Sequence, residues 1–126
     1  MALVLVVDDD AAIRETLQVA LEDEGYQVAA VRDGPAALVF LEHHQPDVVL
    51  LDWVLPGMNG GAVHHWLCAH HPDLPVIVLT ARQDIPAQPE ALASSVLLTK
   101  PFELTDLYTT VAAVTARLAR SRLEAD

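Results

Sequence analysis

Residues 3–10 read LVLVVDDD, five apolar residues followed at once by three acids. The apolar run is too short for a helix and offers no polar face, so it is expected to form a strand buried on both sides. From Ala11 to Glu24, Ile13, Leu17, Ala20 and Leu21 share one face, with Arg14, Glu15, Gln18 and Glu22 elsewhere. That is the pattern of an amphipathic helix. Asp10 stands where an N-cap is needed, and Gly25 stands where the helix must stop.

The same unit repeats along the chain. Gln27–Val31 reads as a weaker second strand and Pro35–His43 as a second helix, with proline near its first turn. Val48–Leu51 (VVLL) is a third buried strand that stops at Asp52, and the Pro- and Gly-rich LPGMNGG of residues 55–61 is a loop. Ala62–His70 is a third helix. Val76–Leu79 is a fourth strand stopping at Thr80, and Val96–Leu98 a fifth stopping at Lys100-Pro101. Leu104–Leu118 closes the pattern as a helix with Leu104, Leu107, Tyr108, Val111, Val114 and Leu118 on its inner face. Residues 121–126 are expected to fray, leaving 1–120 as one domain. Uniformly apolar strands separated by helices imply a doubly wound α/β fold with a five-stranded parallel sheet. The flavodoxin-like strand order 2-1-3-4-5 is the expected arrangement.

In such a sheet ligands bind beyond the carboxyl ends of the strands, where the strand order reverses. Asp8, Asp9 and Asp10 follow the first strand, Asp52 the third, Thr80 the fourth and Lys100 the fifth. A single aspartate after a strand is usually a cap or a solvated turn, and Asp10 is assigned that role. Four strands delivering complementary groups to one edge carry more weight. Carboxylates gathered in one pocket repel, and a hard divalent cation such as Mg²⁺ relieves them through oxygen ligands. Lys100 adds an ammonium and Thr80 a hydroxyl. A nucleophilic carboxylate, a metal, an ammonium and a hydroxyl are the parts that stabilise a transferring phosphoryl group.

Composition narrows the alternatives. The 126-residue chain is 52% hydrophobic and carries a net charge of −11, with 7 basic against 18 acidic residues. Direct nucleic-acid binding is not expected of so acidic a chain. No apolar run is long enough to span a bilayer, so no membrane partner is expected. Residues 3–7 do not read as a signal peptide, because acids follow them directly. One cysteine, Cys68, excludes an internal disulfide and any all-cysteine metal site, and reads as a reduced intracellular thiol, consistent with a cytoplasmic protein.

The stretches LVLVVDDD (3–10), VVLLDWVLPGMNG (48–60), VIVLTA (76–81) and TKPF (99–102) together resemble the response-regulator receiver domain of two-component signalling, over residues 2–120. The resemblance implies that Asp52 is the phosphoacceptor. It implies that Asp9 binds Mg²⁺ directly, Asp8 through water, and the backbone carbonyl of Val54 as a third protein ligand. It makes Thr80 the switch hydroxyl, Lys100 the phosphate-pairing lysine and Lys100–Pro101 a cis bond. The implied partners are a histidine kinase or histidine phosphotransfer protein, whose phosphohistidine donates to Asp52, and a downstream protein target. In enzymatic terms only self-phosphorylation and autodephosphorylation are implied. Val54 and Arg82 occupy positions that tune phosphoryl lifetime in that family.

Two departures from the family stand out. The aromatic switch residue usual three positions before the lysine is replaced by Leu97. The segment between Thr80 and Lys100 is short and carries Pro86 and Pro89, so the helix expected there is short, displaced or disordered, confined to about Glu90–Ser94. Its loss would uncover apolar surface near Ile77, Leu79 and Leu97, which predicts a homodimer through residues 82–100. These departures favour an alternative, a degenerate receiver that works as an interaction module without phosphorylation. A small phosphatase is disfavoured, because Trp53 and Val54 follow Asp52 where a second catalytic carboxylate would stand. A flavin protein is disfavoured because the first loop offers acids in place of phosphate-binding donors.

Three histidine pairs remain: His43-His44, His64-His65 and His70-His71. His64, Cys68 and His71 fall on one helix face at a spacing that permits a metal, though surface histidines are ordinary, and His64 also fits the inner face beside Val63 and Leu67. Trp66 lies off the inner stripe and Trp53 at the rim of the acidic pocket.

Overall fold

The computed structural model describes residues 2–55, 60–81 and 96–125, with side chains through 117. Among the described residues nine elements follow in order: β1 (Leu3–Val7), α1 (Ala11–Asp23), β2 (Gln27–Val31), α2 (Gly34–His43), β3 (Val48–Asp52), α3 (Gly60–His70), β4 (Val76–Ala81), β5 (Val96–Lys100) and α4 (Leu104–Ala125). The strands form one parallel sheet in the order β2-β1-β3-β4-β5, as expected from the sequence.

Side chains alternate across a strand, so the central strands β1, β3 and β4 feed two cores. On one face Leu5, Val7, Val49, Leu51, Val76 and Val78 pack with Ala37 and Leu41 of α2 and Val63 and Leu67 of α3. On the other, Val4, Val6, Val48, Leu50, Ile77 and Leu79 pack with Leu17 and Leu21 of α1 and Leu107 and Val111 of α4. Burial of each such side chain stabilises the fold by about 1.5–3 kcal/mol. The central strands β1 and β3 therefore have no wet face, and the polar groups that end them sit at the rim of a dry sheet.

Local signals set the helix ends. The Asp10 carboxylate accepts from the N–H groups of Ala12 and Ile13 at 2.9 and 3.2 Å. At the other end of α1, Tyr26 N–H donates to the Leu21 carbonyl and Gly25 N–H to that of Glu22, with Gly25 at φ 95°. This is the paired-bond ending that a left-handed glycine permits. Asp33 caps α2 through Ala36 N–H at 2.8 Å, with proline in the first turn.

Several expectations need correction. Ile77 and Leu79 are fully buried and not uncovered, because they point toward α1 and α4. Leu97 pairs with Val78, which places it on the opposite face, and it is 37% exposed. Leu104 is exposed: it starts α4 beside Phe102 and α1 residues Ala12 and Thr16, one turn before the buried Leu107–Val111–Val114 stripe. α4 runs to Ala125, through the segment expected to fray, because no glycine or proline interrupts residues 118–125. α3 begins at Gly60, two residues early. The helix expected between β4 and β5, with Pro86, Pro89 and Arg82, lies outside the described residues, as does most of the expected dimer region. Among the described residues no helix is long and apolar enough to cross a membrane.

Candidate acidic functional site

The carboxyl ends of β1 and β3 lie side by side, since Val7 pairs with Leu51. The next residues, Asp8 and Asp52, therefore meet. Asp8 is fully buried, Asp52 nearly so, and Asp9 exposed; a carboxylate oxygen from each lies within 4.8 Å of the others. They border a hollow of about 280 Å³ that Asp10, Val54 and Lys100 also line. Trp53 N–H donates to the Leu79 carbonyl at 2.9 Å, which carries the β3–β4 ladder one residue past Asp52. Gly60 N–H donates to the Trp53 carbonyl at 3.0 Å, and Val54 N–H to Asp52 Oδ1 at 3.2 Å.

Lys100 reaches in from β5. Its ammonium lies 3.3 Å from Asp52 Oδ2 and 3.5 Å from Asp8 Oδ2. The Lys100–Pro101 peptide is cis, as the resemblance implied. Even with this ammonium beside it, Asp52 is held above the usual carboxylate range. Burial is the largest cause and the Asp8 charge the second; the Val54 N–H and Lys100 oppose them.

Thr80 is buried, but its hydroxyl donates to the Ala81 carbonyl at 3.1 Å, and Ala81, the register partner of Lys100, lines the hollow at this strand end. Asp10 serves as the helix cap, as expected. The histidine–cysteine cluster does not form a three-ligand site among the described residues. His64 lies on the inner face, its ring edge-on to Trp53 at 6.0 Å, with Cys68 Sγ 3.9 Å from its nitrogens. Burial, then the neighbouring His65, push His64 below the usual imidazole range. Trp66 is half-buried and stacks on His70 at 4.4 Å.

The residues fit a divalent cation. Three carboxylates face one ammonium, leaving two negative charges. Asp8 Oδ1 is occupied by the Asp10 N–H at 2.9 Å, while Asp8 Oδ2 is buried with no hydrogen-bond donor. A buried carboxylate oxygen without a hydrogen bond is costly, and its charge partner, the Lys100 ammonium at 3.5 Å, is shared with Asp52, which favours a further cation. The ligands are all oxygens, which suits Mg²⁺.

A family model for the response regulator receiver domain matches residues 4–112. The chain belongs to the response-regulator receiver family. The response regulator MprA of Mycobacterium ulcerans (strain Agy99) is 38% identical over 125 residues, covering 98% of this chain and 53% of the relative. The DNA-binding response regulator MtrA of Mycobacterium tuberculosis (strain CDC 1551 / Oshkosh) is 42% identical over 120 residues, covering 94% of this chain and 51% of the relative. Among solved structures, the Francisella response regulator 1452 receiver domain superposes with a TM-score of 0.84 at 30% identity, covering 94% of this chain and 99% of that one. This receiver thus spans about half the length of the curated relatives it matches. It is a receiver domain of the two-component response-regulator type.

Two residues that shape the receiver's pocket escaped the sequence reading. Arg14, assigned to the outer face of α1, donates from Nη1 to the Asp8 carbonyl at 2.8 Å. Helical side chains lean toward the N-terminus, and that lean was the available signal. Gly60 was read only as loop. A Cβ there would lie 2.5 Å from Trp53 Cα, so glycine is required for the close approach.

Proposed function

We propose that this receiver takes a phosphoryl group from a phosphohistidine onto Asp52 in a Mg²⁺-dependent reaction, and that the acyl phosphate switches a protein-interaction surface. The observation that carries this reading is the convergence of Asp8, Asp9 and Asp52 within 4.8 Å, with the Lys100 ammonium 3.3 Å from Asp52. An Asp52 carboxylate oxygen attacks phosphorus, the P–N bond breaks, and its electron pair leaves with the imidazole, which takes a proton. Lys100 pairs with the phosphoryl oxygens as charge shifts onto them, and Thr80 offers its hydroxyl once released from the Ala81 carbonyl. Asp8, Asp9, Asp52 and the Val54 carbonyl would hold Mg²⁺, which when bound supplies positive charge for the acceptor and the phosphoryl oxygens. The donor is a histidine kinase or phosphotransfer protein, and the setting is the cytoplasm.

One observation favours the second reading, a phosphorylation-independent interaction module: Leu97, where the family carries an aromatic, is a partly exposed aliphatic residue. Incubation with acetyl phosphate and Mg²⁺ separates the two. The expected result is a single phosphoryl adduct by intact mass, absent in Asp52→Asn and in excess chelator. A wild-type chain left unmodified by both acetyl phosphate and a phosphorylated kinase would refute phosphotransfer.

A further inference from the structure

Asp8 is fastened on three sides. Its N–H donates to the Val31 carbonyl at 3.1 Å, its Oδ1 accepts from Asp10 N–H at 2.9 Å, and its backbone carbonyl accepts from Arg14 Nη1 at 2.8 Å. These bonds leave Oδ2 toward Lys100. The first two partners are backbone groups of the sheet and of the turn itself. The third comes from a side chain of α1 that does not line the hollow.

A peptide unit is planar, so fixing the Asp8 carbonyl also fixes the Asp9 N–H and the direction in which the Asp9 Cα leaves the turn. Asp9 is exposed, so burial does little to orient it. We infer that Arg14 is a positioning residue for the cation site, holding the Asp8–Asp9 peptide so that both carboxylates converge with Asp52. Arg14 acts through this hydrogen bond and not as a ligand. The inference rests on reading the pocket as a Mg²⁺ site.

Charge alone gives the opposite expectation. Arg14 is a cation near an acidic pocket, and removing it should tighten binding of another cation. Loss of positioning should weaken it. Outer groups that orient metal ligands are typically worth 10–100-fold in affinity. The two effects therefore differ in sign.

The test uses the full chain and Arg14→Met, which keeps the apolar stem but removes donor and charge. Mg²⁺ is titrated while tryptophan fluorescence is followed, and thermal unfolding is recorded with and without Mg²⁺. The expected result is about tenfold weaker Mg²⁺ binding in the variant, with a smaller Mg²⁺-dependent rise in unfolding temperature and a near-unchanged temperature without metal. Arg14→Gln serves the same comparison if the methionine variant folds poorly. Equal or tighter Mg²⁺ binding in the variants, beside a wild type that binds, overturns the role of Arg14 alone. A wild type showing neither a saturable fluorescence change nor Mg²⁺-dependent stabilisation overturns the metal reading and this inference together.

Discussion

Lys100 and Asp52 meet at 3.3 Å although their strands are not neighbours. β4 lies between β5 and β3, and the lysine stem crosses its end where the register partner is the small Ala81. The same ammonium lies 3.5 Å from Asp8, so one cation serves acids from two central strands. Substituting Lys100→Met should slow labelling of Asp52 by acetyl phosphate by about a hundredfold, the scale of losing one preorganised electrostatic partner. Mg²⁺ affinity should hold or rise, since a competing cation is gone. Initial labelling rates and metal titration check the two halves separately.

Asp52 supplies a stability prediction. Its pKa is raised in the folded state, chiefly by burial and then by Asp8. Between the unfolded and folded pKa values the native protein binds the extra proton, so this group's contribution falls as pH rises through that window and stays lost above it. Asp52→Asn removes the penalty. Without Mg²⁺ the variant should unfold at higher urea than wild type at neutral pH, and the gap should narrow toward pH 4. Added Mg²⁺ should stabilise wild type more than the variant.

His64 runs the other way. Burial lowers its pKa, so the folded state resists the proton that the unfolded chain accepts near its ordinary value of about 6.5. Stability from this group is present above that value and is lost as pH falls toward the lowered folded pKa. His64→Gln cannot take the proton. Urea midpoints compared between about pH 7.5 and 5.5 should drop more for wild type than for this variant.

Gly60 ties the start of α3 to the backbone just past Asp52. A methyl group at Gly60 would lie 2.5 Å from Trp53 Cα and 2.6 Å from its carbonyl carbon, and rigid backbone cannot yield as a side-chain tip can. Gly60→Ala should cost about 1–3 kcal/mol, the scale of an overpacked contact. It should also weaken Mg²⁺ binding, because Trp53 sits between Asp52 and Val54. Chemical unfolding and the fluorescence titration read both effects.

The strands, their order and the gathering of Asp8, Asp9, Asp52 and Lys100 were legible because apolar runs and their terminating residues are local signals. Parallel topology then brings all strand ends to one side. What escaped depends on direction and distance. Which face Ile77 and Leu97 take follows from a strand's two-residue alternation, and the notion of a patch near both overlooked their opposite parity. Arg14 looked solvated because periodicity locates a side chain's root and not its tip. The need for glycine at residue 60 appears only once Trp53 backbone is known to lie against it. Thr80 was expected just past its strand, but β4 runs on to Ala81, and hydroxyl rotation directs the Thr80 proton to the Ala81 carbonyl.

Lys100 belongs to the outermost ribbon of the sheet, while the acids it neutralises are anchored in the middle. Prying that ribbon even slightly from its inner neighbour would withdraw the lever arm and leave the pocket more negative. A protein that clasps the outside border thus has a grip on the pocket's charge without ever touching an aspartate.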